Sequence, residues 1–433
     1  MKELDFTSNG FFKKLERFIS ERTRDIAVEE AVRAILADVR TRGDAAVLEY
    51  THRFDGLELK AKQLRVDAAE MAAAARAFSP AQRRSIREAI NCVRAFHKEG
   101  LPRSWMGRNP HGARYGERWY PIGRVGIYIP AGSVPLVSTV VMTTTLARLA
   151  GVPEIAVFTP PNREDGKISA QMRAVLHLCG ITEVYSIGGA QAIGAMAYGT
   201  RTIPAVCKVM GPGNAYVAEA QRQVFGDVGV DLLPGPSEAL AIADASANPR
   251  YLAADLLAQA EHGTGKEKIY YVFTDPAQAA AVQTEMAAQL PALSHRAAIE
   301  RVLAGNTLFI RVPDLEAAAA VANFIAPEHL ELHVEKTAIK KLVETIRTAG
   351  AILCGHDTPT VVGDFTAGPS HTLPTNRTGR YFSGLKITDF LRRSSIVEYD
   401  RRALARARPV VEAFAALESL DAHNRSLTIR FDP

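Results

Sequence analysis

Cysteine is scarce: Cys92, Cys179, Cys207 and Cys354 are the only four in 433 residues, and no two of them form a CxxC pair. Neither a disulfide framework nor a thiolate zinc site is signalled, so all four read as buried structural residues. A signal peptide is lacking as well. The opening "MKELDFTSNGFFKKLERFISERTRD" is charged throughout, and no apolar run elsewhere approaches a bilayer span, which predicts a cytoplasmic protein without a membrane partner. An excess of one charge is also missing, the formal net charge being only +5. Arginines do gather between Arg377 and Arg408. Solvated helix faces or a subunit contact account for them, and nucleic acid is not expected as a partner. The last absence is the dinucleotide fingerprint GxGxxG: "GPGNAY" supplies its first two glycines and then Tyr216 where the third should stand.

What is present is enough apolar residue to fill a large core, 47% hydrophobic against 23% charged, over a length that suggests two or three packed units. From Ile26 to Tyr50, Val28, Val32, Ile35 and Val39 recur at helical spacing, with a break near Gly43. The region 1–102 therefore reads as helical. From Arg124 the texture changes to strands alternating with helices: "RVGIYIPAG", "EIAVFTPP", "EVYSIGG" and "AVCKVMGPGN", then "VDLLPGPSE", "LAIAD", "KIYYVFT", "TLFIRV" and "GAILCG". This alternation predicts parallel, doubly wound α/β sheets in two rounds, 103–240 and 241–388, which could be two similar halves. A tail, 389–433, returns to helix and could dock on the body or on a partner chain.

Four glycine-rich turns follow predicted strands, at 129 to 133, 187 to 196, 210 to 217 and 233 to 240. In open α/β sheets ligands bind beyond the carboxyl ends of the strands, so the shared position of these turns marks a crevice, although each alone is ordinary turn chemistry. Of eleven histidines, His52, His97, His111, His177, His295 and His356 have no obvious partner and read as structural. Gln259 and His262 in "AQAEHG" fall on one face at the end of a predicted helix. Asp364, in a Gly-flanked loop, His371 beyond it and His423 in the tail could add nitrogen and oxygen donors suited to zinc or manganese. Such residues equally often cap helices or satisfy a core. In "APEHLEL", Pro327 and Glu328 resemble a helix first turn, where a carboxylate complements the dipole.

The long stretches "MGPGNAYVAEAQRQVFGDVGVDLLPGPSEALAIAD", "AADLLAQAEHG", "APEHLEL", "VGDFTAGPSHTLPT" and "LDAHNRS" occur in the order seen in histidinol dehydrogenases, and the chain resembles that family from about Asp38 to its C-terminus. The resemblance implies two similar incomplete Rossmann-like domains, a helical N-terminal region and a small tail that reaches into the other subunit of a homodimer. It also implies NAD and one zinc ion per subunit in an oxidation of L-histidinol through an aldehyde to L-histidine. Gln259, His262, Asp364 and His423 match the zinc ligands, His423 from the neighbouring chain. His329 matches the base for the alcohol proton and Glu328 the base for the water that attacks the aldehyde. Ser237, His371 and Glu418 match substrate contacts, the last two across the dimer interface, joined by His329 and the zinc ligands, while Tyr128, Gln191 and Asn214 match contacts to NAD.

The chain departs from the family pattern at Pro130-Ala131-Gly132, at Ser370-His371-Thr372 and in "TNRTGRYFSG". Such changes leave the bases and ligands intact while altering pocket contacts, where specificity resides. A dehydrogenase of another small polar primary alcohol, such as a sulfonated diol, is therefore an alternative. A non-catalytic zinc- or nucleotide-binding protein is the alternative from another class, and the intact Glu328-His329 pair argues against it.

Overall fold

In the computed structural model, which describes all residues except 20–24, 132–134, 234, 263–264 and 433, the chain divides into two units. Met1–Gly100 with Ile122–Phe390 form the larger, and Leu101–Pro121 with Leu391–Pro433 the smaller. Gly132, Ser133, Pro234 and Gly263, which belong to motifs singled out above, lie outside the described residues.

The larger unit is built on two parallel sheets. Arg124–Tyr128 is buried along its whole length, as a strand covered on both faces must be. On one side of it lie Glu154–Thr159 and then Glu183–Ser186, and on the other Lys208–Met210 and then Gly229–Val230. The second sheet repeats that order. Glu238–Ala243 is central, flanked by Lys268–Phe273 and Thr307–Arg311 on one side and by His329–His333 and Ala351–Cys354 on the other. The two rounds of alternation thus have the same topology, with the reversal of strand order beside the first strand of each.

Period-two alternation sorts the side chains into layers. In the first sheet, Tyr128 and Phe158 face the helices Ile26–Arg42 and Gly189–Tyr198, while Ile127 and Val157 face Val137–Leu149 and Ala170–Leu178. In the second, Leu240, Tyr270 and Leu330 face Leu315–Ile325, and Ala241, Tyr271 and Phe309 face Pro249–Ala260 and Pro276–Gln289. At the amino edge of the first sheet, Arg124 bonds Glu154 at 2.6 Å and Glu183 at 2.5 Å, tying three adjacent strand starts together.

Several segments differ from the sequence reading because strand pairing between distant stretches leaves no local signature. Lys2–Asp5, within the expected helical region, is an edge strand paired with Thr307–Arg311. "VDLLPGPSE" is strand only at its ends, Val230 closing Gly229–Val230 and Glu238 opening Glu238–Ala243, among the described residues. Trp105–Arg108 and Arg114–Pro121 belong to the smaller unit, where Leu391–Glu398 pairs with Arg114–Pro121 in an antiparallel sheet. The tail therefore begins with a strand before its helices Arg401–Leu417 and Asp421–Thr428. Of the cysteines, only Cys179 is buried; Cys207 and Cys354 are exposed.

Candidate active site

Three of the four glycine turns begin at the carboxyl ends of first-sheet strands, Arg124–Tyr128, Glu183–Ser186 and Lys208–Met210, while the fourth, at 233 to 240, runs into the amino end of Glu238–Ala243 in the second sheet. Tyr128 ends its central strand, and the Gly189 amide donates to its buried hydroxyl at 3.2 Å. Burial pushes the Tyr128 phenol up to about 12, so it stays a neutral hydrogen-bonding group. Gln191, in the first turn of Gly189–Tyr198, is buried with its amide oxygen unpartnered. Asn214 caps Ala215–Val224 by accepting from the Tyr216 and Val217 amides at 3.0 and 3.1 Å. That capping role accounts for an asparagine there without any ligand. Gly211, at φ +101°, comes so close to the Tyr128 carbonyl that an added Cβ would lie 2.2 Å from its oxygen. The reversal of strand order falls between these two strands, where an open α/β sheet offers its binding crevice.

The ionisable residues sit at the opposite edge of the other sheet. Residues 231–237 lead from Gly229–Val230 to the amino end of Glu238–Ala243, a separation of at most roughly 25 Å. Helix Leu315–Ile325 ends at Ala326, in the left-handed region at φ 52°, and Pro327 prevents its continuation. Glu328 then enters the strand His329–His333. The helix-start reading of "APEHLEL" is thus overturned: the proline follows a helix and precedes a strand.

The main chain of Glu238 holds both members of the acid–base pair. Its amide donates to Glu328 Oε2 at 2.9 Å, and its carbonyl lies 3.3 Å from His329 Nδ1. A carbonyl only accepts, so Nδ1 carries the proton and Nε2 is left as the basic nitrogen. Ser237 adds a hydrogen bond to Glu328. Burial holds Glu328 well above the usual carboxylate range and His329 down to about 4. His329 Nε2 points to Asp364 Oδ1 at 3.9 Å, and His371 Nδ1 approaches the same oxygen at 3.7 Å. Burial first, and then the negative charge of Glu331, raises Asp364 to about 6; burial lowers His371 to about 4. Thr139, from a helix of the first half and unnoticed in the sequence, reaches His371 Nε2 at 3.3 Å.

Gln259 lies in the last turn of Pro249–Ala260, buried, with its amide nitrogen unpartnered. His262 lies beyond the helix end in a turn, not on the helix as expected, and is exposed. Its charge is felt by both His329 and His371. These donors fit a zinc-type cation: a carboxylate, an imidazole and a buried amide whose orphaned end has no protein partner, with the nitrogen and oxygen interchangeable by a flip. Glu418 and His423 belong to the smaller unit, where they line an open groove with Val410, Phe414 and Leu420.

A possible metal-binding group also exists among other residues: one ligand atom each from Asp255, Glu331 and His333 lie within 4.8 Å of one another. Sequence reasoning missed it. The signal was the alternation in "HLELH", whose polar positions face one side of a strand buried throughout.

Glycine turns at the carboxyl edge of one Rossmann-like sheet and a buried glutamate–histidine pair at the amino edge of a second mark an α/β oxidoreductase. Comparisons with known proteins narrow the class. The family model for histidinol dehydrogenase matches residues 19–431. The histidinol dehydrogenase of Gluconobacter oxydans is 42% identical over 433 residues, all of both chains, and that of a Synechococcus strain is 44% identical over 96% of each. A crystal structure of histidinol dehydrogenase from Elizabethkingia anophelis superposes with a TM-score of 0.93 at 32% identity, covering 100% of this chain and 98% of that one. The chain belongs to the histidinol dehydrogenase family.

Proposed function

We propose that this chain oxidises L-histidinol through L-histidinal to L-histidine, the last step of histidine biosynthesis, using two NAD molecules and one zinc ion per subunit. The observation that carries the reading is the single residue Glu238 addressing both bases, with its N–H to Glu328 and its C=O to His329. The N–H favours the carboxylate form of Glu328 against the burial that raises it, and the C=O keeps the His329 proton on Nδ1, so each side chain presents a basic atom. His329 Nε2 takes the hydroxyl proton as hydride leaves the alcohol carbon for NAD. Glu328 takes a proton from the water that adds to the aldehyde, and the resulting hydrate gives up the second hydride. Zinc held by Gln259, His262 and Asp364, with His423 of the partner subunit, would orient the imidazole and amino groups of the substrate. Ser237, His371 and the tail's Glu418 complete the substrate contacts, and Tyr128, Gln191 and Asn214 the NAD contacts.

A homodimer with shared sites accompanies this reading. The tail helix Arg401–Leu417 exposes Val410, Phe414 and Leu417, an apolar stripe that a second copy would cover. Mixing Gln259→Ala with His423→Ala subunits is expected to restore activity, and absence of any restoration would count against shared ligation. The protein is taken as cytoplasmic, acting on a small molecule, without a nucleic-acid or membrane partner. No described helix is long and apolar enough to cross a membrane.

A second reading, oxidation of a different small polar primary alcohol such as a sulfonated diol, is favoured by Ser370 and Thr372, which flank His371 and are themselves buried. The test supplies zinc-loaded protein with NAD and either alcohol. The first reading expects about two NADH per L-histidinol consumed; turnover with the diol alone favours the second, and oxidation of neither alcohol defeats both.

A further inference from the structure

Strand His329–His333 turns Leu330 and Leu332 into the apolar core and His329, Glu331 and His333 to the face covered by helix Pro249–Ala260. All five are buried. A buried carboxylate and a buried imidazole on one strand face persist only if each is paired, because desolvating an unpaired charge outweighs what two leucines gain by burial. The pairing is explicit. Glu331 Oε1 accepts from the Thr360 amide at 2.7 Å and from the Thr360 hydroxyl at 2.6 Å. Glu331 Oε2 lies 3.3 Å from His333 Nε2, which lies 3.5 Å from Asp255 Oδ2.

Each of the three elements so joined carries a residue of the proposed site. Thr360 begins the helix Thr360–Phe365, and Asp364 follows one turn later on the same face. Asp255 precedes Gln259 by one turn of Pro249–Ala260. Glu331 is the next residue on the same strand face as His329. A helix as short as Thr360–Phe365 does not stand alone in water, and its N-cap, Pro359, has no side chain to cap it. Glu331 supplies the missing cap from a neighbouring strand, and its negative charge complements the helix dipole.

We infer that Glu331, held by His333 and Asp255, is a positioning residue that sets the helix Thr360–Phe365 and with it the carboxylate of Asp364. The same three residues are less suited to holding an ion. Both Glu331 oxygens already have donors, and the His333 Nδ1 has no hydrogen-bond partner. An imidazole bound to a metal through Nε2 would need an acceptor for its Nδ1 proton. With Nε2–H directed at the two carboxylates, Nδ1 keeps only a bare lone pair.

The inference rests on the zinc reading only for its consequence, so the test has two arms on the full chain. In the metal-free protein, Glu331→Ala is expected to speed hydrogen exchange of the 360–365 amides. Leu332→Ala, which removes a buried side chain from the opposite face of the same strand, should lower Tm without that local effect. In the zinc-loaded protein, Glu331→Ala should weaken zinc in chelator competition by roughly 10- to 100-fold and lower kcat more than it changes the KM for NAD. Glu331→Gln, whose amide oxygen still accepts from Thr360, should recover most of both. Unchanged exchange at 360–365 in Glu331→Ala would overturn the inference, as would a second zinc in the wild type that is lost in His333→Ala. A wild type without zinc would defeat the zinc reading and leave the exchange arm to decide this one.

Discussion

The two parallel sheets share one strand order and use opposite ends of it. At the amino edge of the first, the leading residue Arg124 bonds both Glu154 and Glu183 at 2.5 to 2.6 Å. At the amino edge of the second, the strand starts include Glu238, whose main chain holds the acid–base pair, and His329 itself. The carboxyl edge of the first sheet, by contrast, offers glycine turns and main-chain groups with few charges. Topology alone therefore does not say which end of a sheet carries chemistry. The difference lies in what the strand ends are given: ions paired with one another make a structural edge, while single buried groups held by peptide units make a reactive one. The linker 231–237 joins the two sheets in sequence, and the proposed function assigns the glycine edge to the cofactor and the charged edge to proton transfer.

That contrast can be broken at three depths. The largest effect is expected from His329→Asn, which can still donate to the Glu238 carbonyl but cannot accept a proton; kcat should fall roughly 10²- to 10⁴-fold with little change in Tm. A loss smaller than tenfold in steady-state assays would remove His329 from the role of base. Next come two glycines, one at each edge. Gly211→Ala places a Cβ 2.2 Å from the Tyr128 carbonyl at a φ of +101°, and Gly350→Ala places one 2.6 Å from the Glu328 carbonyl. Each should cost about 2–4 kcal/mol in denaturant titration. The first should mainly raise the KM for NAD and the second mainly lower kcat; a reversed pattern would show that the edges have been assigned the wrong way round.

The smallest effect lies outside both edges. Burial holds His97, in helix Pro80–Glu99, down to about 4, against 6.5 for an ordinary histidine. The unfolded chain takes up the proton first as pH falls, so His97 costs stability progressively below pH 6.5 until the folded value is reached. By pH 5 the loss is about 2 kcal/mol. His97→Leu should show a flatter stability profile between pH 6.5 and 4 in chemical denaturation, and parallel profiles for both proteins would contradict the shift.

Much of the body was legible because parallel strands covered on both faces are continuous apolar runs. "KIYYVFT" and "LAIAD" fall on Lys268–Phe273 and Glu238–Ala243, and three of the four glycine turns follow strand ends at one edge, the fourth running into the second sheet instead. Strand order was not legible, since the pairing of Glu238–Ala243 with His329–His333 joins segments about ninety residues apart and no local period encodes it. The same limit hid Leu391–Glu398, which exists as a strand only through its pairing with Arg114–Pro121. In the site, residue types pointed to Glu328, His329, Asp364 and His371, and the larger unit brings these together. Their supports were invisible: the Glu238 peptide groups carry no side-chain signal, and Glu331 matters only because folding sets Thr360 beside it.

The account turns on two bases serving two steps, and Glu328→Gln tests that most directly. The glutamine keeps the size of the side chain and can still accept from the Glu238 amide, but it cannot take a proton from water. In a single turnover with L-histidinol and excess NAD, followed by absorbance and by trapping the aldehyde, the variant is expected to release one NADH at close to the wild-type rate. The second should be slowed roughly 10²-fold or more, with the aldehyde accumulating. Equal slowing of both hydride transfers, with no aldehyde trapped, would contradict the division of labour between Glu328 and His329.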